Sequence, residues 1–213
     1  MKLELSGSIL GANPLYLGQA VTTAYQHGLK RLHIDIMDGN YVPNISFGSA
    51  VLPAIQALAP MAQLDVHLMV NCPENLVAQC LQFQPASITI HPQACKDPKT
   101  LIQTIKAAGC VAGIAINPCD DLSGLLPYLD LVDLVTVMTV NPGACGQKLI
   151  AERLELIPKL REHFKGNITI DGGVNADNCQ QLSTLAIDRL VAGSAIFSGD
   201  IAKNISKIIS NCK

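Results

Sequence analysis

Leu32-His33-Ile34-Asp35-Ile36-Met37-Asp38-Gly39 decides how the rest of this chain is read. As a strand it has period two, so His33, Asp35 and Met37 share one face and Leu32, Ile34 and Ile36 share the other. One face is apolar; the opposite one carries an imidazole and a carboxylate two residues apart, and the run then breaks into Asp38-Gly39. That pattern places a pair of metal-ligand-type side chains at the carboxyl end of a strand. The competing reading is an edge strand with one solvated face.

Two further runs weaken the edge-strand reading. In Leu64-Asp65-Val66-His67-Leu68-Met69, the residues Asp65, His67 and Met69 alternate with Leu64, Val66 and Leu68; Asn167-Ile168-Thr169-Ile170-Asp171-Gly172-Gly173 again ends in a carboxylate followed by glycines. Acids are seldom buried without a partner, so three apolar strands that finish in ligand-type residues point to one shared site.

Outward from these runs the chain alternates strand and helix. Strands are expected at Ser6 to Leu10, Arg31 to Met37, Gln63 to Met69, Ser87 to His91, Val111 to Asn117, Leu134 to Val140, Ile168 to Asp171 and Arg189 to Ala192. Helices are expected from Asn13-Pro14 to His27, Ser49 to Leu58, Pro73 toward Phe83, Asp97 through Ala108, a short one opened by Asp121, Leu149 to His163, Asn175 to Leu185 and Ile201 to Ser210. Eight units in 213 residues average about 27 each, which fits an α/β fold of the single (β/α)8 TIM-barrel type with short loops. An open doubly wound sheet also alternates, but it gives no reason for eight units and its Gly-x-Gly-x-x-Gly turn after strand one is missing. No linker or shift in composition divides the chain, so residues 1–213 are expected to form one barrel domain. In a barrel the carboxyl ends of all strands meet on one face, which brings His33, Asp35, His67, Met138 and Asp171 together.

Composition narrows the classes of function. The chain is 49% hydrophobic with mean hydropathy +0.31, enough to bury a substantial core. A net charge of −2 and a pI near 6.2 give no basic field, so nucleic acid is not expected as a partner. No apolar run is long enough to span a membrane. Eight cysteines without a Cys-x-x-Cys pair, and an amino terminus Met1-Lys2-Leu3-Glu4-Leu5 without the features of a secretory signal, predict a reducing cytoplasmic setting and free, mostly buried thiols.

Chemistry is carried by two constellations. His33, Asp35, His67 and Asp171 offer two nitrogens and two oxygens, a set suited to one borderline divalent ion such as zinc, iron, manganese or cobalt. Such an ion polarises a substrate carbonyl and acidifies the neighbouring C–H. Glycine-rich turns follow the last three strands: Asn141-Pro142-Gly143-Ala144-Cys145-Gly146-Gln147, Gly172-Gly173 and Ala192-Gly193-Ser194-Ala195. Glycines let backbone N–H groups approach an anion, and barrels often hold phosphate after strands seven and eight, so a phosphorylated small molecule is expected there. Met37, Met69 and Met138, three of only five methionines, fall at strand ends; they fit core filling and a polarisable, water-poor lid equally well.

Taken in order, these motifs resemble the ribulose-phosphate 3-epimerase family: His33 to Gly39 with Val42-Pro43-Asn44, Asp65 to Val70, Val137 to Gly143, Asp171 to Asn175 and Ala192 to Phe197. The resemblance runs over nearly the whole chain. It implies a ribulose-phosphate-binding barrel that interconverts D-ribulose 5-phosphate and D-xylulose 5-phosphate in the pentose phosphate pathway. It also implies that Asp35 and Asp171 are the acid/base carboxylates and double as metal ligands with His33 and His67. Ser8 and His67 then contact substrate, Met37, Met69 and Met138 cap it, and Gly143, Ala144, Cys145, Gly146, Gly172, Gly173, Gly193 and Ser194 line the phosphate end. Association into a homo-oligomer is expected for such barrels.

The chain departs from the family pattern at the loop usually written Asn-Pro-Gly-Phe-Gly-Gly-Gln, where Ala144 and Cys145 replace Phe and Gly, and at Gly11, where serine is usual. Loss of the aromatic opens the rim, and Cys145 strains the loop if its backbone needs a positive φ. A related epimerase for a six-carbon ketose phosphate such as D-allulose 6-phosphate, and a non-catalytic sugar-phosphate-binding barrel, are the alternatives. A decarboxylase of the orotidine type is disfavoured, because position 37 is methionine where its Asp-x-Lys-x-x-Asp array needs lysine.

Overall fold

The computed structural model describes residues 3–212; Met1 and Lys2, part of the amino-terminal segment read above, and Lys213 lie outside them. Eight parallel strands close into a barrel in sequence order: β1 Glu4–Ser8, β2 Arg31–Met37, β3 Gln63–Met69, β4 Ser87–Ile90, β5 Val111–Ile116, β6 Leu134–Met138, β7 Asn167–Asp171 and β8 Arg189–Ala192. Around them run α1 Leu17–Gln26, α2 Val51–Leu58, α3 Glu74–Leu81, α4 Pro98–Ala107, α5 Leu156–His163, α6 Cys179–Ser183, α7 Ser194–Phe197 and α8 Ile201–Asn211. No helix among the described residues is long and apolar enough to cross a membrane.

The alternation in β2, β3 and β7 sorts their side chains into two shells. Leu32, Ile34, Ile36, Leu64, Val66, Leu68, Ile168 and Ile170 pack outward in the main apolar cluster, which also takes in Val21, Leu52, Ile102, Leu160 and Ile205 from the helices. The other parity faces the lumen and is polar: His33, Asp35, Asp65, His67, Ser87, Thr89, Thr136, Thr169, Asp171 and Arg189 are all buried. Barrel interiors of this fold are usually filled by bulky branched residues, so here the apolar core has been left to the sheet–helix layer. The edge-strand reading of β2 fails because the closed sheet has no edge and both faces of Leu32–Met37 are buried.

Register places the chemistry. Along β2 and β3, His33 lies opposite Asp65, Asp35 opposite His67 and Met37 opposite Met69, while Met138 pairs with Asp171 and Ser8 with His33. The carboxyl end of the lumen therefore carries Asp35 and His67 side by side with Met37 and Met69 one step further out, while Met138 stands level with Asp171.

Several element boundaries differ from expectation. β1 starts at Glu4 and ends at Ser8, because Ile9–Gly11 turns into a single 3-10 turn. β6 stops at Met138: Thr139 donates its N–H to the Asp171 carbonyl and its hydroxyl to the Gly172 carbonyl, tying the two strand ends together. Between β5 and β6 there is no α-helix. Asp121 caps a turn at Leu122–Gly124, and Gly124 and Pro127 leave only a second 3-10 turn at Leu126–Tyr128. The helix expected from Asn175 shrinks to α6 because the Asn175 side chain accepts N–H bonds from Asp177 and Asn178 and holds that segment as a turn. The eight cysteines are free, but only Cys80, Cys110 and Cys179 are buried; Cys72, Cys119 and Cys145 are exposed in loops that follow strand ends.

Candidate functional site

A cleft of about 390 Å³ opens at the carboxyl ends of the strands. Its walls include Ser8, Asp35, Met37, Met69, Met138, Gly143, Ala144, Cys145, Gly146, Asp171, Gly172, Gly173, Gly193 and Ser194. Every residue proposed from sequence for the substrate end is thus on one cavity wall, with the exception of His67. His33 and His67, 1% and 0% exposed, lie beneath the floor and meet the cleft only through the carboxylates.

Four polar atoms converge at that floor. His33 Nε2 stands 3.3 Å from Asp35 Oδ1 and 3.4 Å from Asp171 Oδ2, and His67 Nδ1 stands 3.4 and 3.3 Å from the same two oxygens. His33 Nε2, His67 Nδ1 and Asp171 Oδ2 are buried with no hydrogen-bond partner among the described residues. Four ligand atoms of this set lie within 4.8 Å of one another. Donors about 2.0–2.2 Å from one ion leave roughly 2.8–3.6 Å between neighbours, so the spacing and the orphaned atoms both fit a divalent cation.

The imidazoles and carboxylates of the cluster favour one another's charged forms. Burial disfavours the charged imidazoles, but the ionised Asp35 and Asp171 outweigh it and raise the pKa of His33 well above the ordinary histidine value and that of His67 above it. Burial equally disfavours the carboxylates, yet His33 and His67 hold both Asp35 and Asp171 below the usual carboxylate range. A divalent ion held by two neutral imidazoles would offset the same two carboxylate charges.

The surroundings fix each ligand. Ser8 Oγ donates to Asp35 Oδ2 at 2.6 Å, leaving Oδ1 for the cluster. His33 Nδ1 bonds Asp65 Oδ2 at 3.1 Å, and the Asp65 carboxylate is further met by Ser87 Oγ and by Arg189 Nη1 at 3.2 Å. Burial works against the Asp65 charge, but His33 and Arg189 keep its pKa lowered. Removing Asp65 would leave the guanidinium of Arg189, itself 6% exposed, to its longer 3.5 Å contact with Glu4 and would take away the partner of His33 Nδ1. Asp65→Ala is expected to cost about 3–5 kcal/mol, read as a lower urea midpoint at unchanged slope. Sequence reasoning passes over Asp65 because its partners lie on β2, β4 and β8, and only the register joins them.

At the other end of the cleft the three glycine turns meet. Gly172 and Gly173 have φ of +115° and +70°, and a Cβ on Gly173 would run into the Leu149 backbone, so glycine is required where β7 ends. Cys145 brings no strain, because the left-handed positions of its loop are Gly143 and Gly146. Partial desolvation by the cleft walls, with Asp35 and Asp171 nearby, pushes the Cys145 thiol up to about 11, and it stays protonated at neutral pH. Gly11 has its own reason: a Cβ there would overlap the carbonyl carbon of Gly193 and meet Ser194 N at 2.5 Å. Gln147 and Asn175, quoted above only as the ends of motifs, also line the cleft, and so does Lys148, which was not anticipated because its loop has no periodicity to mark it.

The sequence pattern of the Ribulose-phosphate 3 epimerase family matches residues 4–197. Ribulose-phosphate 3-epimerase of Buchnera aphidicola subsp. Baizongia pistaciae is 34% identical, with 100% of this chain and 99% of that protein covered. The enzyme of the same name from Escherichia coli strain K12 is 35% identical over 91% of this chain and 88% of its own length. Among solved structures, 3-hexulose-6-phosphate synthase from Salmonella typhimurium superposes with a TM-score of 0.76 at 18% identity, covering 99% of this chain and 98% of that one, a likeness of fold alone. A barrel whose strand ends carry the His-Asp cluster, a family pattern that spans β1 to α7, and relatives matched over most of their length lead to one assignment: this chain belongs to the ribulose-phosphate 3-epimerase family.

Proposed function

We propose that the chain interconverts D-ribulose 5-phosphate and D-xylulose 5-phosphate by moving protons at C3, with Asp35 and Asp171 as the two bases and one divalent ion held by His33, Asp35, His67 and Asp171. The observation that carries this reading is the pair of buried carboxylates that reach one spot from β2 and β7, each within 3.4 Å of both imidazoles and each on the wall of the cleft.

Inversion at a carbon needs a proton taken from one face of the planar enediolate and another delivered to the opposite face, which calls for two carboxylates flanking the substrate. When bound, a divalent ion supplies Lewis acidity at the sugar's oxygens and offsets the charge that develops there. Asp35 and Asp171 are kept ionised by the imidazoles, so either is ready to accept the C3 proton. The hydroxyl of Ser8 steadies Asp35 at its second oxygen. Met37, Met69 and Met138, each at most 3% exposed, wall the cleft with soft apolar surface and keep water from the reacting carbon. The phosphate rests on backbone N–H groups of the glycine turns at residues 143–146, 172–173 and 193–194, with Lys148 beside them. The ion is zinc, iron, manganese or cobalt, and the protein works in the cytoplasm as one barrel domain that associates with copies of itself.

The test is solvent deuterium wash-in, followed by NMR, with ribulose 5-phosphate and with allulose 6-phosphate. Deuterium is expected at C3 of the pentose phosphate as xylulose 5-phosphate forms. Faster exchange on the six-carbon sugar would move the assignment to that substrate, a shift that Ala144 on the open rim makes worth measuring. Tight sugar-phosphate binding with no exchange at all would leave only a binding protein.

A further inference from the structure

We propose that His91 is a positioning residue: its Nε2 accepts the proton on His67 Nε2 and so leaves His67 Nδ1 free to face the ion. The inference rests on the reading that His33, Asp35, His67 and Asp171 hold a divalent cation.

His91 follows β4, is 0% exposed and belongs to none of the residues assigned so far. Its Nε2 lies 2.9 Å from His67 Nε2, a hydrogen bond in which only one of the two nitrogens carries the proton. The other nitrogen of His67 is the one turned toward Asp35 and Asp171. For Nδ1 to serve as a ligand it must be bare, and a neutral imidazole then has its proton on Nε2. His67 is therefore the donor and His91 the acceptor, which puts His91's own proton on Nδ1.

That assignment has a cost visible in the structure, since His91 Nδ1 is buried without a partner among the described residues. An imidazole kept in such a place needs a use for its other nitrogen. The ring is also clamped: it stacks on His67 with centroids 5.1 Å apart and 23° between planes, and Tyr41 covers it at 4.7 Å. Tyr41 is anchored in turn, its hydroxyl oxygen accepting from Asn117 Nδ2 at 2.8 Å and Gln93 Nε2 at 2.9 Å. His33 has a carboxylate, Asp65, in the equivalent place. A neutral acceptor behind His67 orients the second imidazole without bringing another negative charge into a lumen that already holds Asp35, Asp65 and Asp171.

The experiment uses full-length protein labelled with 15N-histidine, metal-free and zinc-loaded, alongside H91F and H91Q. Long-range 1H–15N spectra are expected to show His91 with Nε2 unprotonated and the proton on Nδ1. Zinc affinity, measured by competition with a chromophoric chelator, should fall about 10–100-fold in H91F. It should stay close to wild type in H91Q, whose amide oxygen can occupy the position of Nε2. A proton found on His91 Nε2, or zinc bound as tightly by a folded H91F as by wild type, overturns the proposal; if H91F does not fold, the wild-type tautomer and H91Q decide it. A wild-type chain that takes up no zinc overturns the four-ligand reading instead, and the tautomer of the metal-free protein still tells which imidazole donates.

Discussion

Asp35→Asn and Asp171→Asn are each expected to lower turnover of ribulose 5-phosphate by about 10²–10⁴-fold. An amide fills the same space as the carboxylate but cannot take a proton from carbon. Both side chains are also proposed ligands, so bound zinc should be quantified in each variant. A variant that retains stoichiometric zinc and has lost turnover isolates the proton-transfer role, whereas turnover that returns with excess zinc assigns the loss to the ion. Deuterium wash-in separates the two acids: with one base left, exchange from a single epimer can outlast net epimerisation. Ordinary turnover by either variant would remove that carboxylate from the mechanism.

Stripping the ion is expected to have an effect of similar size. Treatment with a strong chelator should bring activity to background, and zinc, iron(II), manganese or cobalt should restore it. Unfolding should remain cooperative without the ion, because the apolar cluster lies between the outer face of the sheet and the helices and involves none of the four ligands. The raised pKa values of His33 and His67 favour protonated imidazoles in the metal-free centre, and a bound ion competes with those protons. Binding should release protons, so affinity rises with pH, by at most about 100-fold per pH unit for two protons, and levels off above the histidine pKa values. Titration calorimetry in two buffers of different ionisation enthalpy counts those protons. A pH-independent affinity with no proton release would contradict the electrostatics of the cluster.

Much of this site is legible in the chain because a strand writes its two faces alternately. His33 and Asp35 in β2, and His67 in β3, announce themselves as polar residues within apolar runs, and Asp171 closes β7 just before its glycines. Eight such units then leave little choice of fold. What the alternation does not carry is register. Asp65 is visible as one more polar residue of β3, but its bonds to His33, Ser87 and Arg189 depend on how four strands are staggered. His91 follows the alternating run Ser87-Ile88-Thr89-Ile90, and its significance appears only once β3 lies beside β4. Periodicity overestimates helix length where side-chain bonds compete with the helix, as at Asn175, and where Gly124 and Pro127 interrupt it. Lys148 and Asn175 sit in loops, whose course over the cleft has no periodic signature.

The inward polar shell and outward apolar shell have a consequence for how this polypeptide can change over time. Neighbouring letters along β2 serve separate purposes: Leu32, Ile34 and Ile36 hold the wall upright, while His33, Asp35 and Met37 decide what happens inside it. New chemistry can be tried at every second position with the masonry left in place.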